Sequence, residues 1–389
     1  MSTDALDENA LVSQAREITG LDDFGEDSWR EGLERLVAAL REEAQLNEIG
    51  VQVAASEIRT YLTNRLRVTE WHGSHHELGA ADVTPPIVII GQGRTGTTIL
   101  HDLLAQDPAH RVPLTWEVDR PLPPPETATY YSDPRIAEVQ TQLDLTELVI
   151  PGFKRMHPIG ARLAQECVRI TAADFRSMIF PTQYRIPSYA RWLLYEADMA
   201  PAYRWHRLFL EVLQSRHRRE RWVLKSPGHL WCLGALLAEY PNAVLVQTHR
   251  DPLRIIASIA SLLATLRRLA TNATSIAEGG AEFADYLLDG LDRSVTARED
   301  GTVPAKQVID VQFQAFLADP VACVREIYAR LGLELTREVE ARMRAFLAEN
   351  PQDKHGGHRY SLADTGLDAE KLRARARRYQ EYFAVSSEV

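Results

Sequence analysis

Ile87-Val88-Ile89-Ile90-Gly91-Gln92-Gly93-Arg94-Thr95-Gly96-Thr97-Thr98 is the stretch on which the fold turns. Four consecutive β-branched residues read as a short strand buried on both faces, the pattern of a parallel sheet covered by helices. The strand runs directly into a glycine-rich turn, and a helical pattern follows from Ile99 to Gln106. Strand, turn and helix in this order form the arrangement that holds a phosphate on backbone N–H groups at a helix N-terminus. Gly91 and Gly96 keep the G-x-x-x-x-G spacing of such a loop, but Thr97 stands where a lysine should follow, with Thr98 after it. That lysine neutralises the outer phosphates of a triphosphate, so its absence weakens a kinase or ATPase reading. The nearest cation is Arg94, inside the loop.

Working outward, Arg221-Trp222-Val223-Leu224 reads as a second strand, closed by Lys225 and followed by a helix over His229 to Glu239. Ala243-Val244-Leu245-Val246 reads as a third, running on through Thr248 and His249 to Arg250-Asp251-Pro252, where proline opens the next helix. Val308 to Val311 is a fourth, and helices follow near Val321–Leu331, Arg337–Ala348 and Glu370–Phe383. Strands alternating with helices predict an α/β fold: a central parallel sheet flanked by helices. Lys225 and Arg250 then both close strands, at the edge where open α/β sheets bind ligands. Upstream, residues 1–80 read as an amphipathic helical extension that packs on the core, with helices over Trp29–Leu46 and Val53–Leu66. Residues 81–389 form the α/β domain, interrupted around 121–214 by an aromatic-rich insertion of helices and loops.

The formal net charge of −10 argues against a nucleic-acid binder or a membrane-surface protein. Cys167, Cys232 and Cys323 lie far apart and form no C-x-x-C pair, which fits a reducing compartment. The acidic opening MSTDALDENA has no signal-peptide character, and the apolar run Ile255–Leu266 is short of the roughly 20 residues a bilayer span requires. These features predict a cytoplasmic protein without stable membrane insertion. His72, His75 and His76 read as a solvated loop, and no set of metal ligands is evident.

The segment PPIVIIGQGRTGTT resembles the 5′-phosphosulfate loop of the sulfotransferases that use 3′-phosphoadenosine 5′-phosphosulfate (PAPS). VLKSPGHLWCLGALLAEYPNAVLVQTHRDPLRIIASIAS resembles that family's second signature. The likeness is to the bacterial branch, with the protein tyrosyl sulfotransferases more distant, and runs from about Pro85 onward with a gap through the middle. It implies a P-loop-like sulfotransferase fold, in which Gly93, Arg94, Thr95, Gly96, Thr97 and Thr98 hold the 5′-phosphosulfate. Arg250 and Ser258 would hold the 3′-phosphate, and a fork plus a hydroxyl suits a phosphate monoester. Lys225 resembles the lysine that neutralises the transferring sulfonate. Lys354-His355-Gly356-Gly357-His358-Arg359-Tyr360 resembles the late basic, glycine-bearing segment that closes over the nucleotide, which assigns His355, Gly357, His358, Arg359 and Tyr360 to cofactor binding.

The reaction implied is in-line displacement at sulfur, with adenosine 3′,5′-bisphosphate leaving and no metal required. A base must take the proton of the acceptor hydroxyl. Glu117 follows the loop helix where tyrosyl and some bacterial members place a catalytic glutamate, and His229 lies just beyond Lys225, as in cytosolic members. Glu117 is the favoured choice. The acceptor is expected to be a small molecule; the aromatics of the insertion fit a lipid, steroid or phenol. Two alternatives are a degenerate P-loop kinase or NTPase, for which only Asp310 offers a strand carboxylate, and a non-catalytic nucleotide-binding protein.

Overall fold

A computed structural model describes residues 4–75, 83–149, 160–351 and 360–388. Its centre is a five-stranded, wholly parallel sheet: β1 (Ile87–Ile90), β2 (His110–Arg111), β3 (Arg221–Lys225), β4 (Val244–His249) and β5 (Val308–Gln312), in the order β2-β3-β1-β4-β5. Four of the five strands match the apolar runs read from the sequence. The two-residue β2 carries no such run and is held as an edge by pairing His110 with Arg221 and Arg111 with Trp222.

All four β1 side chains are buried, and they alternate between two cores. Ile87 and Ile89 pack with Leu100, Leu103 and Leu104 of the loop helix and with Val324 and Ile327 of the helix Pro320–Leu331. Val88 and Ile90 join the opposite core, which contains Leu33, Leu36 and Leu40 of the helix Trp29–Glu42 and Leu210 and Leu213 of the helix Ala200–Gln214. Burial of each such side chain contributes roughly 1.5–3 kcal/mol, so the two-sided strand is a major anchor of the fold. β1 also sits between β3 and β4, where the chain's path diverges to either side; the crevice beyond its carboxyl end is the ligand position of open α/β sheets.

The upstream helices Glu8–Thr19, Trp29–Glu42 and Glu48–Ser74 lie against the insertion rather than the sheet alone. Buried Arg65 donates to the carbonyls of Phe24 (2.7 Å) and Glu26 (2.9 Å) and to Asp174 (3.2 Å), and Asp174 also binds Arg176 (3.0 Å) and Ser28 (2.7 Å). The third helix is longer than its periodicity predicted: His72 lies in its last turn and His75 caps it, so these two belong to a helix end rather than a loop. His76 is outside the described residues. No described helix is long and apolar enough to cross a membrane.

Candidate active site

The loop after β1 has the backbone that its glycines permit. Gly91 has φ 132°, and a Cβ there would lie 2.3 Å from Thr248 Oγ1 on β4. Gly96 has φ 89° and caps the helix Thr97–Leu104 without a side-chain hydrogen bond, so no capping side chain covers its first-turn N–H groups. Arg94 adopts φ 69°, a left-handed conformation that a non-glycine residue holds only under constraint. Thr95 supplies part of that constraint, its hydroxyl reaching the Gln92 carbonyl (2.7 Å) and Thr248 Oγ1 (2.6 Å).

Arg94, Ser258 and Arg250, which the resemblance assigns to two ends of the nucleotide, come together in the structure. Arg94 Nε donates to Ser258 Oγ at 3.1 Å, and Arg250 Nη1 donates to the Arg94 carbonyl at 2.8 Å. Ser258 reaches the loop because it lies on the helix Pro252–Arg267, which starts where β4 ends. Asp251 caps that helix and is buried; hydrogen bonds from Arg373 and from the Leu253 and Glu388 backbones outweigh desolvation and hold its carboxyl below the usual range. Arg250 packs over the Phe313 ring at 4.1 Å, and Arg254 lies 5.4 Å from the Tyr360 ring. His355, Gly357, His358 and Arg359 lie outside the described residues. The donor set fits a nucleotide bearing two anionic groups: backbone N–H donors at one end and arginine forks with a hydroxyl at the other.

Lys225, at the end of β3, is buried beneath the loop helix. Its ammonium lies 3.4 Å from Thr98 Oγ1 and is paired with Glu166, a residue the sequence reading did not single out. Glu166 comes from a distant segment. It precedes the five-residue helix Cys167–Thr171, and the bridge between Leu114 and Ala164 brings that segment to the mouth of the sheet. Asp102, one turn beyond Thr98, faces the same lysine; burial raises its carboxyl to about 6 against the opposing pull of Lys225.

Glu117 is in a different setting from the one expected. Its side chain is fully buried and both oxygens are engaged: one by Arg111, the other by the Leu114 N–H and the Tyr130 hydroxyl, each at 2.9 Å. Arg111 in turn donates to the carbonyls of His217 and Leu213, both at 3.1 Å, and stacks over Trp222. No hydrogen bond joins Glu117 to Lys225, Thr98 or Arg94 among the described residues.

A cavity of about 220 Å³ lies past the end of β3, with neither Lys225 nor Glu166 in its lining. Cys167 and Ser226, the chain neighbours of Glu166 and Lys225, line it, together with apolar Met178, Leu193, Leu194 and Met199 and charged Arg176, Asp198 and Arg293. His229 also lines it, on a short 3₁₀ turn (Pro227–Trp231) that replaces the first part of the predicted helix; the α-helix begins only at Leu233. Its Nδ1 lies 2.6 Å from the Tyr203 hydroxyl, and its Nε2 has no hydrogen-bond partner among the described residues. Burial, with His206 nearby, lowers its pKa to about 3, so the ring stays neutral. Asp310, the carboxylate that an NTPase reading requires, is bound to His249 and Arg298.

The sequence from 85 to 337 matches the model of the sulfotransferase family. The chain belongs to the sulfotransferase family. It is 32% identical to the crystal structure of sulfotransferase STF9 from Mycobacterium avium, with a TM-score of 0.89 over 98% of this chain and 97% of that one. Against STF1 from Mycobacterium tuberculosis the identity is 33% and the TM-score 0.84, covering 96% and 99%. A curated relative, the omega-hydroxy-beta-dihydromenaquinone-9 sulfotransferase Stf3 of Mycobacterium bovis, is 25% identical over 304 residues, 73% of this chain and 72% of Stf3. This sulfotransferase is therefore an enzyme that moves a sulfuryl group from PAPS to an acceptor.

Proposed function

We propose that the acceptor is the hydroxyl of a slender, largely apolar alcohol, and that Glu166 rather than Glu117 takes its proton. The observation that carries this reading is the Lys225–Glu166 pair, whose chain neighbours Ser226 and Cys167 stand on the wall of a largely apolar cavity. An alcohol lying in the cavity would present its hydroxyl to this pair, within reach of Thr98 and the loop.

PAPS supplies the sulfuryl group and a leaving group that carries its charge on the 5′-phosphate. Gly93 to Thr98 hold that end on backbone N–H groups, while Arg250 and Ser258 hold the 3′-phosphate and Arg94 bridges the two. Lys225 stabilises charge that builds on the equatorial and bridging oxygens. Glu166, once drawn from Lys225 toward the acceptor, accepts the proton as the acceptor oxygen attacks in line. His229, neutral and held by Tyr203, offers Nε2 to the same hydroxyl as a positioning contact. Glu117 keeps the wall beside the site in place. The scheme uses no metal ion, and it places the enzyme in the cytoplasm, where PAPS is at hand.

Single-turnover transfer from radiolabelled PAPS, in the presence of EDTA, tests this. Long-chain primary alcohols are expected to be sulfated in preference to sugars and charged phenols. A Met199→Trp substitution, which fills the cavity, should abolish that turnover and leave nucleotide affinity unchanged. Preferential sulfation of a sugar, or full alcohol turnover by the Met199→Trp variant, would overturn the acceptor assignment.

A further inference from the structure

The guanidinium fork assigned to the 3′-phosphate already has an anionic partner from the protein itself. Glu388 lies across Arg250 in a two-pronged ion pair: Nε to Oε1 at 3.0 Å and Nη2 to Oε2 at 3.0 Å. Arg254 Nε stands 3.8 Å from the same carboxylate. Two planar nitrogens meeting two oxygens is also the geometry by which an arginine holds a phosphate.

This carboxylate is delivered by a built path. The helix Ala369–Phe383 ends at Ala384, whose φ of 52° turns the chain back on itself. Val385 is buried in the main core and its N–H donates to the Gln380 carbonyl at 2.9 Å. Gln380 Nε2 donates to the Val385 carbonyl at 3.2 Å. The Glu388 N–H then donates to Asp251 at 2.6 Å, the helix-capping carboxylate beside Arg250. Asp251 is itself held by Arg373, at 2.6 Å and 3.1 Å. The groups facing Glu388 are therefore two arginines, with Asp251 turned to its backbone rather than its side chain.

We propose that Glu388 is an internal competitor for the 3′-phosphate: its carboxylate sits on Arg250 in the resting enzyme, and nucleotide binds by exchange with it. The proposal rests on reading Arg250 and Ser258 as the 3′-phosphate site. A nucleotide without a 3′-phosphate does not need to displace Glu388, so the residue weakens the binding of the bisphosphate alone. It also keeps a bound product from being held too tightly, because the departing 3′-phosphate is replaced at once by a carboxylate of matching shape. The apparent dissociation constant is the intrinsic one divided by the fraction of molecules with the fork open.

Calorimetric titration at low ionic strength, with adenosine 3′,5′-bisphosphate and adenosine 5′-monophosphate, reads this directly. Wild type, Glu388→Gln, Glu388→Ala and Arg250→Ala are compared. Both Glu388 variants are expected to bind the bisphosphate about tenfold more tightly, which corresponds to a fork closed roughly nine-tenths of the time. Their affinity for the monophosphate should stay within twofold of wild type. Hydrogen exchange at the Glu388 amide should rise when bisphosphate is added to wild type, and not with monophosphate. Unchanged or weaker bisphosphate binding by the Glu388 variants would overturn the proposal, provided wild type still prefers the bisphosphate and Arg250→Ala loses that preference. If wild type shows no such preference, the 3′-phosphate site itself is misassigned and the proposal falls with it.

Discussion

Two ion pairs of the same chemistry stand near the sheet and serve opposite ends. In Arg111–Glu117 the side chains are 2% and 0% exposed, and every carboxylate oxygen has a partner supplied by the fold. In Lys225–Glu166 the lysine is 3% exposed but the glutamate is 19% exposed, and the chain neighbours of both line a cavity. In the proposed scheme the closed pair holds structure, because every oxygen of Glu117 already has a partner. An open one can exchange a partner for a substrate. In that scheme the saturation of a glutamate's hydrogen bonds guides its role more closely than its place after the phosphate loop.

Breaking the closed pair should have the largest effect, and on stability. Glu117→Gln leaves Arg111 charged, buried and without its counter-ion, a change that typically costs about 3–5 kcal/mol. Chemical unfolding should show that loss, while the molecules that remain folded turn over at near the wild-type rate. A folded Glu117→Gln variant with kcat down about a hundredfold, the scale of a lost general base, would reverse the roles of the two glutamates.

Breaking the open pair should act on rate. Glu166→Gln keeps the size of the side chain and removes the base, so kcat should fall about 10²–10³-fold. Glu166 is partly exposed, so the loss of stability should be smaller than for Glu117→Gln, although it leaves the buried Lys225 without that partner. Lys225→Ala is expected to show a similar loss of rate. A Glu166→Gln enzyme with unchanged kcat would leave His229 as the base, and its pH profile would then follow the imidazole.

What the sequence disclosed of all this follows the range of the interactions involved. β1, the loop and its helix are contiguous, so one short window holds the apolar run, the glycines and the arginine. Lys225 and Arg250 were legible because each closes a strand of a parallel sheet, and such ends converge. Glu166 lies 59 residues from Lys225 in a segment without periodicity, held at the site by the Leu114–Ala164 bridge and by backbone bonds such as Gln165 N–H to the Pro113 carbonyl. The 24-residue helix Ile276–Glu299 also escaped notice. It carries three glycines, poor helix formers, one of which is required by packing: a Cβ on Gly290 would meet the Trp231 ring at 2.7 Å. The closing segment 384–388 gives no sequence signal of its contact with Arg250, because a lone glutamate in a polar tail is the commonest of surface patterns.

A third carboxylate sharpens the contrast by a smaller amount. Asp102 faces Lys225 from the loop helix and has its carboxyl raised to about 6, chiefly by burial, with Lys225 pulling the other way. The unfolded chain releases this proton near pH 4, whereas the folded chain keeps it to about pH 6. Between those values the native state binds more protons than the unfolded one, so this group lowers stability as pH rises across that window, and the loss stays constant above it. Asp102→Asn removes the penalty. The variant should be more stable than wild type by about 3 kcal/mol at pH 7, with the difference vanishing toward pH 4. Unfolding curves at pH 4, 5, 6 and 7 measure this. A pH-independent difference would mean that Lys225 already holds Asp102 ionised, and that the lysine is shared between two carboxylates rather than reserved for Glu166.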